Sequence, residues 1–162
     1  MEAAKTTGAL QLLSFKLDDE LFAVEISRVR EVLEFHGATK VPRVPDFMRG
    51  VINLRGNVVP VVDLKMKFGI GKTEKQMGTC AIIAEVDVDG EPIVLGCLAD
   101  AVQEVFDLEA QHIEPPPKIG TRLDTGFLKG MGKHADRFIL ILDIDRIFRG
   151  EEIREIAKPT EN

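Results

Sequence analysis

Tryptophan and tyrosine are absent from this chain, and its nine aromatic residues are all phenylalanine. A binding surface built on indole or phenol rings, or an aromatic cage for a quaternary ammonium group, is thereby excluded. Cysteine is scarce: Cys80 and Cys97 are the only two. Both lie in apolar, strand-like runs, where reduced buried thiols are expected rather than a disulfide framework. The three histidines, His36, His112 and His134, stand far apart and none is near a cysteine, so no metal site is expected. Basic residues are outnumbered, 21 Lys plus Arg against 27 Asp plus Glu, for a net charge of −6. With no basic run to hold a phosphate backbone, nucleic acid is not an expected partner. The longest uncharged apolar stretch runs from Ile93 to Ala99, far short of the roughly 20 residues a membrane span requires. Lys5 is followed by Thr6, Thr7 and Gly8 rather than by an apolar stretch, so no leader is read at the start. A cytoplasmic chain without direct membrane insertion is the expectation.

What remains is enough for a core. Apolar residues make up 44% of 162, and a chain of this length buries about two-thirds of its unfolded surface. Residues 1–9 are small and polar and read as a flexible N-terminus; 151–162 read as a polar, frayed tail in which Pro159 would end any short helix. Between them, Leu13, Phe15 and Leu17 alternate with polar residues, and Phe22, Val24 and Ile26 do so again after Asp18-Asp19-Glu20, which predicts a hairpin. One helical turn and a strand through about Phe35 follow. Pro42 and Pro45 mark an irregular loop. Val51–Leu54 and Val58–Val62 form a second hairpin around Arg55-Gly56-Asn57, with Pro60 suggesting a sheet edge or a bulge. Thr79–Val88 and Glu91–Ala99 make a third across Asp89-Gly90. Phe138–Leu142 is the last buried strand expected.

The two halves repeat. Val29-Arg30-Glu31-Val32 matches Val102-Gln103-Glu104-Val105, Phe47-Met48-Arg49-Gly50-Val51 matches Phe127-Leu128-Lys129-Gly130-Met131, and the run from Val59 to Leu64 matches that from Ile139 to Ile144. Neither copy of about 70 residues would bury much alone, so an all-β fold of two barrels around one core is expected.

Catalytic signatures fail on inspection. Gly69-Ile70-Gly71-Lys72-Thr73 lacks the first glycine of a phosphate loop, since position 66 is Met66. Glu85 to Gly90 imitates a calcium loop, but its twelfth position is Gly96 and Pro92 intrudes. Ser14 and Ser27, the only serines, have no nucleophile-elbow setting. Asp63 and Asp143 each end a strand and are expected to cap the turn that follows, Leu64–Phe68 or Ile144–Phe148, rather than to act as a carboxylate pair.

Several segments together resemble the CheW family of bacterial chemotaxis coupling proteins. They are Phe15-Lys16-Leu17-Asp18, the strand Phe22–Ile26, Val29-Arg30-Glu31-Val32-Leu33, Val41-Pro42, Pro45, the uninterrupted run from Gly50 to Leu64, Gly130 and the segment Leu140–Asp143. The resemblance spans roughly residues 10 to 150. It implies two five-stranded SH3-like β-barrels that are intertwined and share a hydrophobic core, with short helical turns, as subdomains of approximately 10–75 and 79–150. It implies no enzyme activity and no cofactor. The implied partners are the cytoplasmic tip of methyl-accepting chemoreceptors and the regulatory domain of the histidine kinase CheA, which alternates with the adaptor in rings at receptor arrays. Val29, Glu31, Gly50 and Arg55 match the family's receptor-binding positions. Cys80 and Ile82 match its principal kinase contact, and Glu114, Lys118 and Ile119 fall in the loop of a second, ring-closing one. The isolated chain is expected to be a monomer. An adaptor of a different chemosensory pathway is the nearest alternative, and a small signalling phosphatase a remoter one.

Overall fold

The structure, a computed structural model, describes residues 8–115 and 125–157. The first sequence copy supplies β1 (Ala9–Leu17), β2 (Glu20–Glu25), β3 (Val29–Glu34), β4 (Met48–Leu54), β5 (Asn57–Asp63) and the short helix α1 (Leu64–Phe68). The second supplies β6 (Cys80–Val88), β7 (Glu91–Ala99), β8 (Ala101–Glu109), β9 (Leu128–His134), β10 (Arg137–Leu142) and α2 (Gly150–Ala157). Three hairpins turn tightly through left-handed residues: Arg55 and Gly56 (φ 54° and 90°), Asp89 and Gly90 (52° and 84°), Ala135 and Asp136 (52° and 65°). Two consecutive positive φ values match the right-handed twist of the flanking strands.

Two five-stranded sheets result, in the orders β8-β1-β2-β10-β9 and β3-β6-β7-β5-β4. Each takes the first two strands of one sequence copy and the last three of the other. A cut between residues 75 and 79 therefore separates the two copies but not the two barrels. The chain accomplishes this exchange through β1–β8 and β3–β6, both antiparallel. Pro60, expected at an edge or bulge, sits on an interior strand. It is tolerated because the parallel ladder from β5 to β7 begins only at Val61, opposite Gly96, so no partner needs the missing N–H.

Burial follows the same plan. One face of each sheet contributes to a shared core that includes Phe15, Phe22, Val62, Ile82, Leu95 and Leu142. The opposite faces line two private interiors, with Leu12, Phe106, Ile139 and Ile141 in one barrel and Phe35, Val59, Val61 and Ile83 in the other. Asp63 is wholly buried and accepts from Lys65 N and Met66 N, capping α1. Thr73 N, Thr73 Oγ1 and Arg49 Nη1 complete its shell at 2.9, 2.8 and 3.0 Å. Asp143 accepts from Asp145 N at 3.2 Å in the corresponding place.

Two expectations need correction. The segment from 151 is not frayed throughout: α2 runs to Ala157, Ile153 is buried in the shared core, and Glu152 takes both carboxylate contacts from Lys67 at 3.0 and 3.1 Å. That ammonium lies 5.0 Å from the Phe47 ring and 5.9 Å from those of Phe127 and Phe148, so the helix is clamped where the two copies meet. Burial pushes the Glu152 carboxyl up, but the Arg149 N–H and the Lys67 ammonium outweigh it and hold it below the usual range. Phe138 is the second correction. It is the second residue of the last strand but is 63% exposed, while Ile139, Ile141 and Leu142 carry the burial.

Candidate functional site

β3 and β4 are the two edge strands of their sheet, and curvature brings them face to face. Two contacts close the barrel between them. At one end the Thr39 and Val51 backbones exchange N–H to carbonyl bonds of 2.9 Å. At the other, the Arg55 guanidinium reaches from its hairpin turn to the Glu31 carboxylate, Nη1 lying 3.4 Å from Oε1 and Nη2 closer still to Oε2. Between them opens a cavity of about 750 Å³ lined by residues of β3, β4 and the segment 35–39, with Ala81 at its floor.

None of the four residues matched to the receptor-binding positions lines the cavity itself: Glu31 and Arg55 pair beyond its end, Gly50 precedes its wall residue Val51, and Val29 belongs with the shared core. A bulge between Val29 and Glu31 resets the register of β3 against β6, which aims Glu31 at the turn. Val29, half-buried, packs against the shared core. Gly50 (φ 142°) lies under Thr39, where an added Cβ would come 2.2 Å from the Thr39 carbonyl oxygen. Its part is to let the closing bridge approach. The Arg55 side chain is 68% exposed and its Glu31 partner 30%. The Glu31 hydrogen bond raises the guanidinium's pKa, yet a pair this open to water is only weakly held, so the fork is free to exchange partners.

The second barrel repeats this frame with different side chains. Glu114 and Met131 exchange the closing backbone bonds at 2.8 Å, above Gly130, whose Cβ position would meet the Glu114 carbonyl oxygen at 2.9 Å. Glu104 meets His134 Nε2 at 2.8 Å where Glu31 meets Arg55. Here the interior is filled. The His134 ring stacks on Phe106 at 4.0 Å, and Leu108 leans over Gly132, its Cδ2 2.3 Å from where a Cβ would stand. Ile52 and Phe35 occupy the matching places beside the open cavity.

The positions matched to the kinase contact are less uniform. Cys80 is half-buried at the start of β6, its thiol donating to the Gly78 carbonyl at 3.3 Å and pushed up in pKa by burial. Ile82 is only 2% exposed and belongs to the shared core. A partner touching β6 there would meet its neighbours, not its side chain. Glu114 is the exposed bridge residue just described. Lys118 and Ile119 lie outside the described residues. Sequence reasoning did not single out Thr39 or Phe35, although the repeat pairs Thr39 with Glu114 once the second bridge is known. Among the described residues no group of three or more His, Cys, Asp or Glu is placed to hold a metal ion, and no helix is long and apolar enough to cross a membrane.

A family model described as the CheW-like domain matches residues 11–152. Chemotaxis protein CheW of Rhizobium meliloti is 34% identical over 152 residues, covering 94% of this chain and 95% of that protein. Its namesake in Klebsiella aerogenes is 32% identical over 151 residues, 93% and 88% of the two lengths. The crystal structure of the scaffolding protein TtCheW from Thermoanaerobacter tengcongensis is similar in fold, with a TM-score of 0.78 at 38% identity over 89% of this chain and 90% of that one. A family model over most of the chain, relatives above 30% identity along nearly their whole length and a solved structure of the same fold thus agree: the chain belongs to the CheW family.

Proposed function

We propose that this protein is a non-enzymatic adaptor of bacterial chemotaxis that couples chemoreceptors to the histidine kinase CheA in the cytoplasm. Family membership supports the role. The observation that carries the site is the open gap between β3 and β4, bounded by the Glu31–Arg55 pair at one end and the Thr39–Val51 bridge at the other. A receptor tip is a helical hairpin, and a helix laid on this gap would find apolar walls with a charged fork at the rim. Arg55 would leave a solvent-exposed partner for a carboxylate on the receptor. The kinase contact is assigned to the exposed surface around Cys80 and to the segment from Glu114 to Ile119. The adaptor fixes the geometry of receptor against kinase, and no bond is made or broken in it.

The test is capture of a receptor fragment and of the CheA regulatory domain by the same variants. Arg55→Glu is expected to weaken receptor capture by about 1–3 kcal/mol, roughly 5- to 150-fold, with kinase capture unchanged. Adding Glu31→Arg should recover part of the loss. Receptor capture by Arg55→Glu equal to that of the parent protein would remove the site.

A further inference from the structure

Phe138 is the one exposed phenylalanine among the described residues, and its neighbours are arranged unusually. Across the hairpin it pairs with Lys133, whose ammonium sits 5.9 Å from the ring centroid. On its other side β10 runs parallel to β2, with Leu140 opposite Phe22. The paired ladder covers only Leu140–Ile141 and Phe22–Ala23; continued two residues back along both strands, its register places Glu20 beside Phe138. The bond of 2.8 Å from Arg137 Nη2 to the Asp19 carbonyl keeps the strands abreast there.

Glu20, Phe138 and Lys133 therefore form one row across three strands, on the sheet face that carries the shared core further along. Strands lie about 4.8 Å apart, so the backbones of acid and base stand roughly 10 Å apart with the ring between them, and the two side chains do not pair with each other. Both are exposed, and neither has an ion-pair partner among the described residues. The duplicate barrel supplies a comparison. In the same register Val58 pairs with Asn53, and the β5–β7 register, continued three residues back beyond the start of its ladder, points to Ile93 on the other side. That row carries no charge.

An acid, a ring and a base in line are self-complementary under a two-fold rotation about the ring. The acid of one copy then faces the base of the other while the rings meet at the axis. We propose that Phe138 centres an isologous contact between two copies of this chain, with Glu20 of each copy paired to Lys133 of the other. The patch is far smaller than a permanent interface needs, so the contact is weak, with a Kd of about 0.1–1 mM. The protein is monomeric when dilute and pairs where copies are crowded. This inference does not rest on the coupling role.

Sedimentation velocity of the full chain alone, from about 10 μM to 1 mM, tests it at concentrations bracketing that Kd. The parent protein is expected to shift from monomer towards dimer over this range. Phe138→Ser and Lys133→Glu, both changes of exposed side chains, should stay monomeric, and Lys133→Glu combined with Glu20→Lys should dimerise again. A parent protein that remains monomeric at 1 mM overturns the proposal, as does a dimer that survives Phe138→Ser or a double exchange that fails to restore it. Should the parent stay monomeric while Phe138→Ser weakens capture of the CheA regulatory domain, the patch belongs to that partner instead.

Discussion

At the scale of single residues, Gly50 shows how a residue matched to a binding position can be fixed by the barrel's own closure. The chain must bring Thr39 against β4 to close the barrel, and the carbonyl of Thr39 occupies the space of a Cβ. A side chain there would be strained twice, by that clash and by φ of 142°. Gly50→Ala is expected to lower stability by about 2–4 kcal/mol, from overpacking and backbone strain together. Urea unfolding checks this: the midpoint should fall with little change in slope. A variant with the parent's midpoint would show that the bridge yields freely and that Gly50 serves the surface rather than the backbone. The sequence displayed the repeated glycines, Gly50 and Gly130, and the repeat made them comparable. It did not display their reason, because Thr39 and Glu114 lie in loops whose approach is set by closure of the whole barrel.

Among elements, what could be read locally was what is held locally. The hairpin at Asp89-Gly90 was legible because the turn residues and the alternation on both sides agree. The helix α2 was missed because its polar residues dominate its composition, while Ile153, buried in the shared core, and a clamp from Lys67 in the other copy hold it down. The connection after β10 is held in a similar non-local way. Asp145 accepts two bonds from the Arg28 guanidinium, one of them 2.9 Å long, and a third from Asp87 N at 2.8 Å, joining the turn after β2 to β6. The Arg28 hydrogen bonds hold the Asp145 carboxyl below the usual carboxylate range. A carboxyl lowered on folding stabilises the folded state above its unfolded pKa of about 3.9, and that contribution is lost as pH falls through the lower folded value. Asp145→Asn should therefore cost about 1 kcal/mol at pH 7, a modest figure because both partners are partly solvated. The gap between variant and parent should narrow progressively below about pH 4. Urea midpoints for both proteins across that range decide the matter; a gap independent of pH would mean that the charge on Asp145 is not what the site uses.

For the molecule as a whole, the sequence repeat predicted two barrels around one core, but it could not show which strands each barrel uses. Pairing partners far apart in sequence carry no local signature: β1 and β8 are joined in one ladder, with Leu13 opposite Val105, and the alternation of both strands would suit other neighbours equally well. The exchange has a consequence for folding. Residues 1–78 contain two strands of one sheet and three of the other, and the faces that form the shared core would have nothing to cover them. A two-stranded ribbon is marginal in water, and three strands with an open apolar face are little better. Neither 1–78 nor 79–162 should therefore unfold cooperatively when made alone, whereas the two fragments mixed or co-expressed should assemble into one folded heterodimer. Circular dichroism with thermal melting, on each fragment and on the mixture, reads the outcome. A sharp transition in either isolated fragment would show that one copy can close a barrel from its own five strands, and the exchanged sheets would then be a choice the chain makes only when both copies are present.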